Sequence, residues 1–171
     1  IIIYMRIDQI MLGQMIGDRE VGVYSAATRI SELWYFIPLA IISSVFPLVL
    51  SKKVYSSQQY YADLQRLFDV MAAISLAVSL VMTFLSTSIV TALFGYAFIE
   101  AGVVLSIHIW GSIFVLMGVV GEKILVAENL QILSLYKAAL GAVANILLNL
   151  VLIPKYGAIG AAIATVIAQA I

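Results

Sequence analysis

Apolar residues fall in long uninterrupted blocks along this chain, not in the alternation of a half-buried strand. Asp, Glu, Lys and Arg are missing from 33–51, 70–99, 101–121, 138–154 and 156–171. Crossing a hydrocarbon layer ~30 Å thick takes about 20 helical residues at ~1.5 Å each, so blocks of this length predict spanning helices. Six hydrophobic elements follow, at 1–15, 23–50, 67–91, 101–120, 136–153 and from 158 onward. Short polar segments separate them at 17–22, 51–66, 94–102, 121–131 and 154–157. The expected fold is an all-α integral membrane protein, a polytopic transmembrane helix bundle of about six spans.

Composition sharpens that expectation. Hydrophobic residues make up 64% and charged residues 11% of the 171, and the mean hydropathy is +1.12. A soluble domain carries roughly 25% charged residues and could not bury this much apolar surface. Nine basic and nine acidic residues cancel, so no polyanion-binding face is predicted and nucleic acid is not an expected partner. Cysteine is absent, which removes disulfides and thiolate metal sites. There is no phosphate-binding glycine loop, no His/Asp/Glu set at metal spacing and no Ser/His/Asp constellation. The expectation is a protein without metal or cofactor that is not an enzyme. Both ends lie inside hydrophobic stretches, so residues 1–171 are expected to be part of a longer membrane protein.

Basic residues predict an orientation. Lys52, Lys53, Arg66, Lys123 and Lys137 flank the breaks after the second and fourth elements, whereas Arg19 and Lys155 flank the other three. Short cytoplasmic loops carry the positive excess, which places 51–66 in the cytoplasm. That segment reads either as a connector with tyrosines at the membrane surface or as an interfacial helix built on Val54, Tyr55, Tyr60, Tyr61, Leu64 and Leu67. Pro38 cannot donate to the carbonyl four residues earlier and predicts a kink near Trp34.

Charges inside spanning segments mark the candidate chemistry, since each costs ~2.5–3.5 kcal/mol at a helix centre and is kept where it faces protein or water. Arg6 and Asp8 lie two apart on the first element, about 200° round the helix, so they are not expected to pair. Arg6 shares its face with Gln9, Gly13 and Gln14, a polar stripe suited to line a cavity. Arg29 and Glu32 are three apart and can pair with each other, and Arg29 can also reach Asp8 across the hairpin. Arg6 and Arg29 therefore read in two ways: guanidinium forks for a phosphate group, or half of a structural ion pair. Asp8 and Glu32 are ion-pair or coupling candidates. His108, the single histidine, either carries a proton or is a hydrogen-bonded core residue. Asn145 and Asn149 predict hydrogen bonds between helices, and Gly157, Gly160, Ala161 and Ala164 predict close helix packing. Glu122 and Lys123 are expected at a membrane edge.

Three stretches carry a resemblance: YMRIDQIMLGQMIGDREVGVYSAATRISELWYFIPLAIISSVFPLVLSKK at 4–53, LFGYAFIEAGVVLSI at 93–107 and NLVLIPKYGAIGAAIATVIAQ at 149–169. They resemble the second half of polysaccharide (O-antigen type) flippases in the multidrug/oligosaccharidyl-lipid/polysaccharide exporter superfamily. The resemblance implies that 1–171 is most of the C-terminal lobe of a two-lobe, pseudo-symmetric transporter working by alternating access. It implies export of a polyprenyl-diphosphate-linked glycan across the cell inner (cytoplasmic) membrane. Membrane lipid, the N-terminal lobe of the same protein and other polysaccharide assembly proteins are the implied partners. In the related lipid II flippases the matching helix pair has the Asp8–Gln9 step and a cavity-facing Arg after a Tyr-Ala segment, which corresponds to Arg29. The spacing from Tyr24 to Arg29 is longer here. The alternatives are a lipid II flippase, a multidrug cation antiporter of the same superfamily and a membrane glycan polymerase or ligase. The antiporter would line its pocket with carboxylates and aromatics, and the polymerase or ligase would need a sizeable outer loop.

Overall fold

The structure is a computed structural model that describes residues 6–171. The described residues form helices and turns: α1 (Ile7–Met15), α2 (Asp18–Leu33), α3 (Phe36–Ser51), α4 (Ser57–Phe94), α5 (Ala101–His108), α6 (Gly111–Ala127) and α7 (Gln131–Gln169). Short 3-10 turns at Lys52–Val54 and Tyr96–Phe98 lead into and out of α4. The part of the first predicted element before Arg6 lies outside the described residues. Among the described residues, four stretches are long and apolar enough to cross a membrane: Asp18–Val54, Ser57–Phe94, Ala101–Ala127 and Gln131–Gln169.

Two of the interruptions fall where the sequence placed them. The first stretch breaks at Trp34 and Tyr35, where the kink near Trp34 was expected. Pro38 is the third residue of α3, a position whose missing N–H has no helical acceptor anyway. The last stretch breaks at Gly157, with φ 56° and ψ −133°. Only glycine occupies that region without penalty, so the polar break expected at 154–157 reduces to one residue, and Pro154 stays helical.

Two predicted loops are corrected. Residues 51–66 are not a long connector, since only the turn up to Ser56 interrupts the helices and α4 runs 38 residues from Ser57, roughly 57 Å at ~1.5 Å each. The Ser56 hydroxyl caps α4, accepting from the Gln59 N–H at 3.3 Å, and the good helix formers beyond it let the helix continue outside the apolar block. Tyr60 and Leu64 are buried in this first part of α4, whereas Tyr55 and Tyr61 are exposed. Similarly, most of 121–131 belongs to α6, which ends before Asn129, a residue in the left-handed region at φ 59°.

Ion pairs fix which turns share an end of the bundle. At one end Arg19 meets Glu100 at 2.9 Å, and Glu20 accepts from the Ala158 N–H at 2.7 Å. At the other, Lys53 meets Glu128 at 2.5 Å and Lys52 pairs with Asp63. This is the alternation that the basic-residue count presumed.

Two apolar clusters hold the bundle. One joins α1, α2, α5, the end of α4 and the second half of α7 around Leu12, Ala27, Val90, Leu105 and Ala161. The second joins α3, the start of α4 and α6 around Ile42, Tyr60, Met71 and Leu116. Small residues bring backbones together: a Cβ on Gly102 of α5 would lie 2.8 Å from the Thr87 Cα of α4.

Candidate functional site

The first turn of α1, the second turn of α2 and the long α7 converge on Asp8, which is 9% exposed. Its Oδ2 accepts from the Tyr24 hydroxyl at 3.0 Å and from the Thr165 hydroxyl at 2.9 Å. Its Oδ1 accepts from Asn149 Nδ2 at 2.5 Å. The second Asn149 N–H donates to Asn145 Oδ1 at 3.0 Å. A hydroxyl has one proton to give, so with Tyr24 and Thr165 both donating to Asp8, three donors converge on a carboxylate and none is cationic. Among the described residues Asp8 forms no ion pair.

The residues around Asp8 border a cavity of about 640 Å³. Its wall draws on α1, α2, α3, α5, α6 and α7, with Arg6, Gln9, Thr28, Glu32, His108, Thr165 and Gln169 among its polar residues. Tyr35, Phe36, Leu39, Val115 and Val119 give the wall an apolar side. Arg6 donates to Gln9 Oε1 at 3.1 Å, the three-residue offset on which the polar stripe was predicted.

His108 is buried on α5, its Nδ1 2.8 Å from the Ser31 hydroxyl. Ser31 donates to the Thr28 carbonyl at 3.0 Å, which leaves its oxygen to accept from an Nδ1–H tautomer. The edge of the Tyr24 ring meets the imidazole at a centroid distance of 6.0 Å. Tyr24 thus touches both Asp8 and His108.

Of the residues singled out from the sequence, the cavity gathers Arg6, Asp8, Gln9, Glu32 and His108. Arg29 is exposed and does not border it. No ion pair joins Arg29 to Glu32 or Asp8 among the described residues. Tyr24 and Thr165 were not singled out as site residues, and Asn145 and Asn149 were read only as helix-to-helix contacts. The available signal was the four-residue spacing of the two asparagines, which puts both on one face of α7. Thr165 gave none, because a threonine among small apolar residues is ordinary in a membrane helix.

Four apolar helical stretches among the described residues mark a multi-pass membrane protein. Residues 1–103 match the family described as polysaccharide biosynthesis protein, and the chain belongs to that family. It is 31% identical over 170 residues to "Probable flippase AglR" of Haloferax volcanii, covering 97% of this chain and 36% of the relative. It is 27% identical to "Probable low-salt glycan biosynthesis flippase Agl15" of the same organism, covering 98% and 36%. An uncharacterized membrane protein of Methanocaldococcus jannaschii is 29% identical, covering 94% and 32%. The chain therefore spans about a third of the length of these curated relatives. No solved structure matches it.

Proposed function

We propose that this chain is part of a flippase that carries a polyprenyl-diphosphate-linked glycan across the cytoplasmic membrane by alternating access. Residues 1–171 would supply about six spans of the C-terminal lobe, with the N-terminal lobe of the same protein closing the passage. The flippase names of two relatives and the family match support glycan-lipid flipping. The observation that carries the mechanism is the cavity with the Arg6 guanidinium at its edge and, in its wall, a carboxylate that forms no ion pair among the described residues.

Arg6 is exposed and, among the described residues, bonds a neutral amide and no carboxylate, which suits its fork to a diphosphate oxygen. The glycan would occupy the wet cavity while the polyprenyl tail stays in lipid. Asp8 would couple the cycle to an ion gradient. Among the described residues its carboxylate is met by neutral donors alone, so no fixed counter-cation competes with a transported one. His108, in contact with Tyr24, would relay the change between α1 and α5. Arg29, exposed outside the cavity, is the weaker substrate candidate of the two arginines. Other polysaccharide assembly proteins would supply the substrate and consume the product.

The test is Arg6→Ala in the full-length protein, with surface glycan measured at matched protein abundance. Display should fall at least tenfold, the loss of one charge-assisted phosphate contact of about 1.5–3 kcal/mol. Wild-type display would remove Arg6 from substrate handling. One observation favours a second reading: Asp8, Glu32, Tyr24, Tyr35 and Phe36 border the same cavity, the carboxylate-and-aromatic set of a multidrug cation antiporter. Efflux of an organic cation that survives Arg6→Ala and is lost in Asp8→Asn would favour that reading.

A further inference from the structure

A second cavity lies between α3 and α6, sharing only Val119 with the wall of the first. It is a groove of about 490 Å³ walled by Phe46 and Leu50 of α3 and by Val119, Glu122, Lys123 and Val126 of α6. Leu50 stands two residues before Lys52, and α6 ends just before Glu128, so the groove opens at the end of the bundle where Lys53 meets Glu128. The membrane surface is therefore at its mouth and hydrocarbon along its length.

The cations at this end are not equivalent. Lys52 and Lys53 are taken up by Asp63 and Glu128. Lys123 forms no ion pair among the described residues and is only partly exposed. Its ammonium stands 5.9 Å from the centre of the Phe46 ring. The ring holds the charge at the lip of the groove by a cation–π contact without neutralising it. A long lysine stem can follow the apolar wall and present its ammonium at the surface.

We propose that this groove binds an anionic phospholipid of the surrounding membrane, with Lys123 taking the headgroup phosphate and the wall of Phe46, Leu50, Val119 and Val126 taking an acyl chain. Charge complementarity selects this occupant: a basic residue at the mouth of an apolar cleft between spanning helices is the arrangement that recognises acidic headgroups. Glu122 at the same rim opposes the phosphate and weakens the preference for an acidic headgroup.

The experiment uses the full-length protein in detergent. Native mass spectrometry would count retained phosphatidylglycerol against phosphatidylcholine of the same chain length. The wild type should prefer phosphatidylglycerol about fivefold, the contribution of one basic residue near an anionic surface. Lys123→Gln should bring the ratio close to one and Glu122→Gln should raise it. Lys137→Gln removes an exposed cation outside the groove and should leave the ratio as it is. Millimolar inorganic phosphate should leave the lipid bound, since it satisfies the ammonium but not the wall. The proposal is overturned if Lys123→Gln keeps the preference while eluting as wild type, if Lys137→Gln loses as much, or if phosphate alone displaces the lipid.

Discussion

Asp8 is the residue on which the interior is organised, because a carboxylate inside a bundle is retained only where its charge is met. Three donors from three segments meet it, 16, 141 and 157 residues distant in the chain. Removing one should be felt as a lost bond to a charged group, moderated by the weaker net value of side-chain bonds in membranes. Tyr24→Phe is therefore expected to lower stability in detergent by on the order of 1 kcal/mol, read as a lower thermal midpoint. In a double-mutant cycle with Thr165→Ala, Tyr24→Phe should show coupling, because both hydroxyls share Oδ2. Strict additivity would mean that the two do not act on one oxygen. This convergence explains what the sequence could and could not say of the site. Arg6 and Gln9 were legible as neighbours because they lie on one helix face. The partners of Asp8 were not, since nothing local ties residue 8 to residues 149 and 165.

Among the helices, α7 carries the sharpest break. Gly157 sits at φ 56° and ψ −133°, and a Cβ there would stand 2.5 Å from Glu20 Oε2, the atom that accepts from the Ala158 N–H. Glu20 thus caps the second half of α7 from a neighbouring helix, as a carboxylate at a helix N-terminus is favoured to do. That half carries Thr165, so the break at Gly157 sets where Thr165 stands relative to Asp8. Gly157→Ala is expected to cost roughly 1–3 kcal/mol for the backbone alone, measured by thermal or chaotrope unfolding in detergent. Glu20→Gln keeps the shape and loses only the charge, so it should cost clearly less. Equal losses would mean that the cap, not the backbone, sets the stability of this break. Hydropathy made the break visible as a polar gap but could not size it. Charges mark where the chain leaves hydrocarbon, while helices end where backbone bonding fails, at Gly157, Asn129 or the Trp34–Tyr35 step. That is also why α4 outruns its apolar block by a full ten residues on the Ser57 side, from Ser57 to Arg66.

For the whole molecule, the ion pairs say which turns lie together and the basic residues say which end faces the cytoplasm. Arg19 with Glu100, and Glu20 with the start of the second half of α7, define one end. Lys52, Lys53, Asp63 and Glu128 define the other. Acidic partners do not cancel the topological signal, since retention in the cytoplasm follows Lys and Arg and depends little on Asp and Glu. The end carrying Lys52 and Lys53 should therefore be cytoplasmic despite its salt bridges. The chain contains no cysteine, so single cysteines report without background from this segment. Tyr55, 89% exposed, and Tyr96, 83% exposed, stand at opposite ends and are suitable positions. Tyr96→Cys should react with a membrane-impermeant maleimide in intact cells, and Tyr55→Cys only after permeabilisation. The reverse pattern would invert the bundle. The groove at Lys123 would then face the outer leaflet, and the Arg6 cavity would meet its phosphate from the opposite side of the membrane.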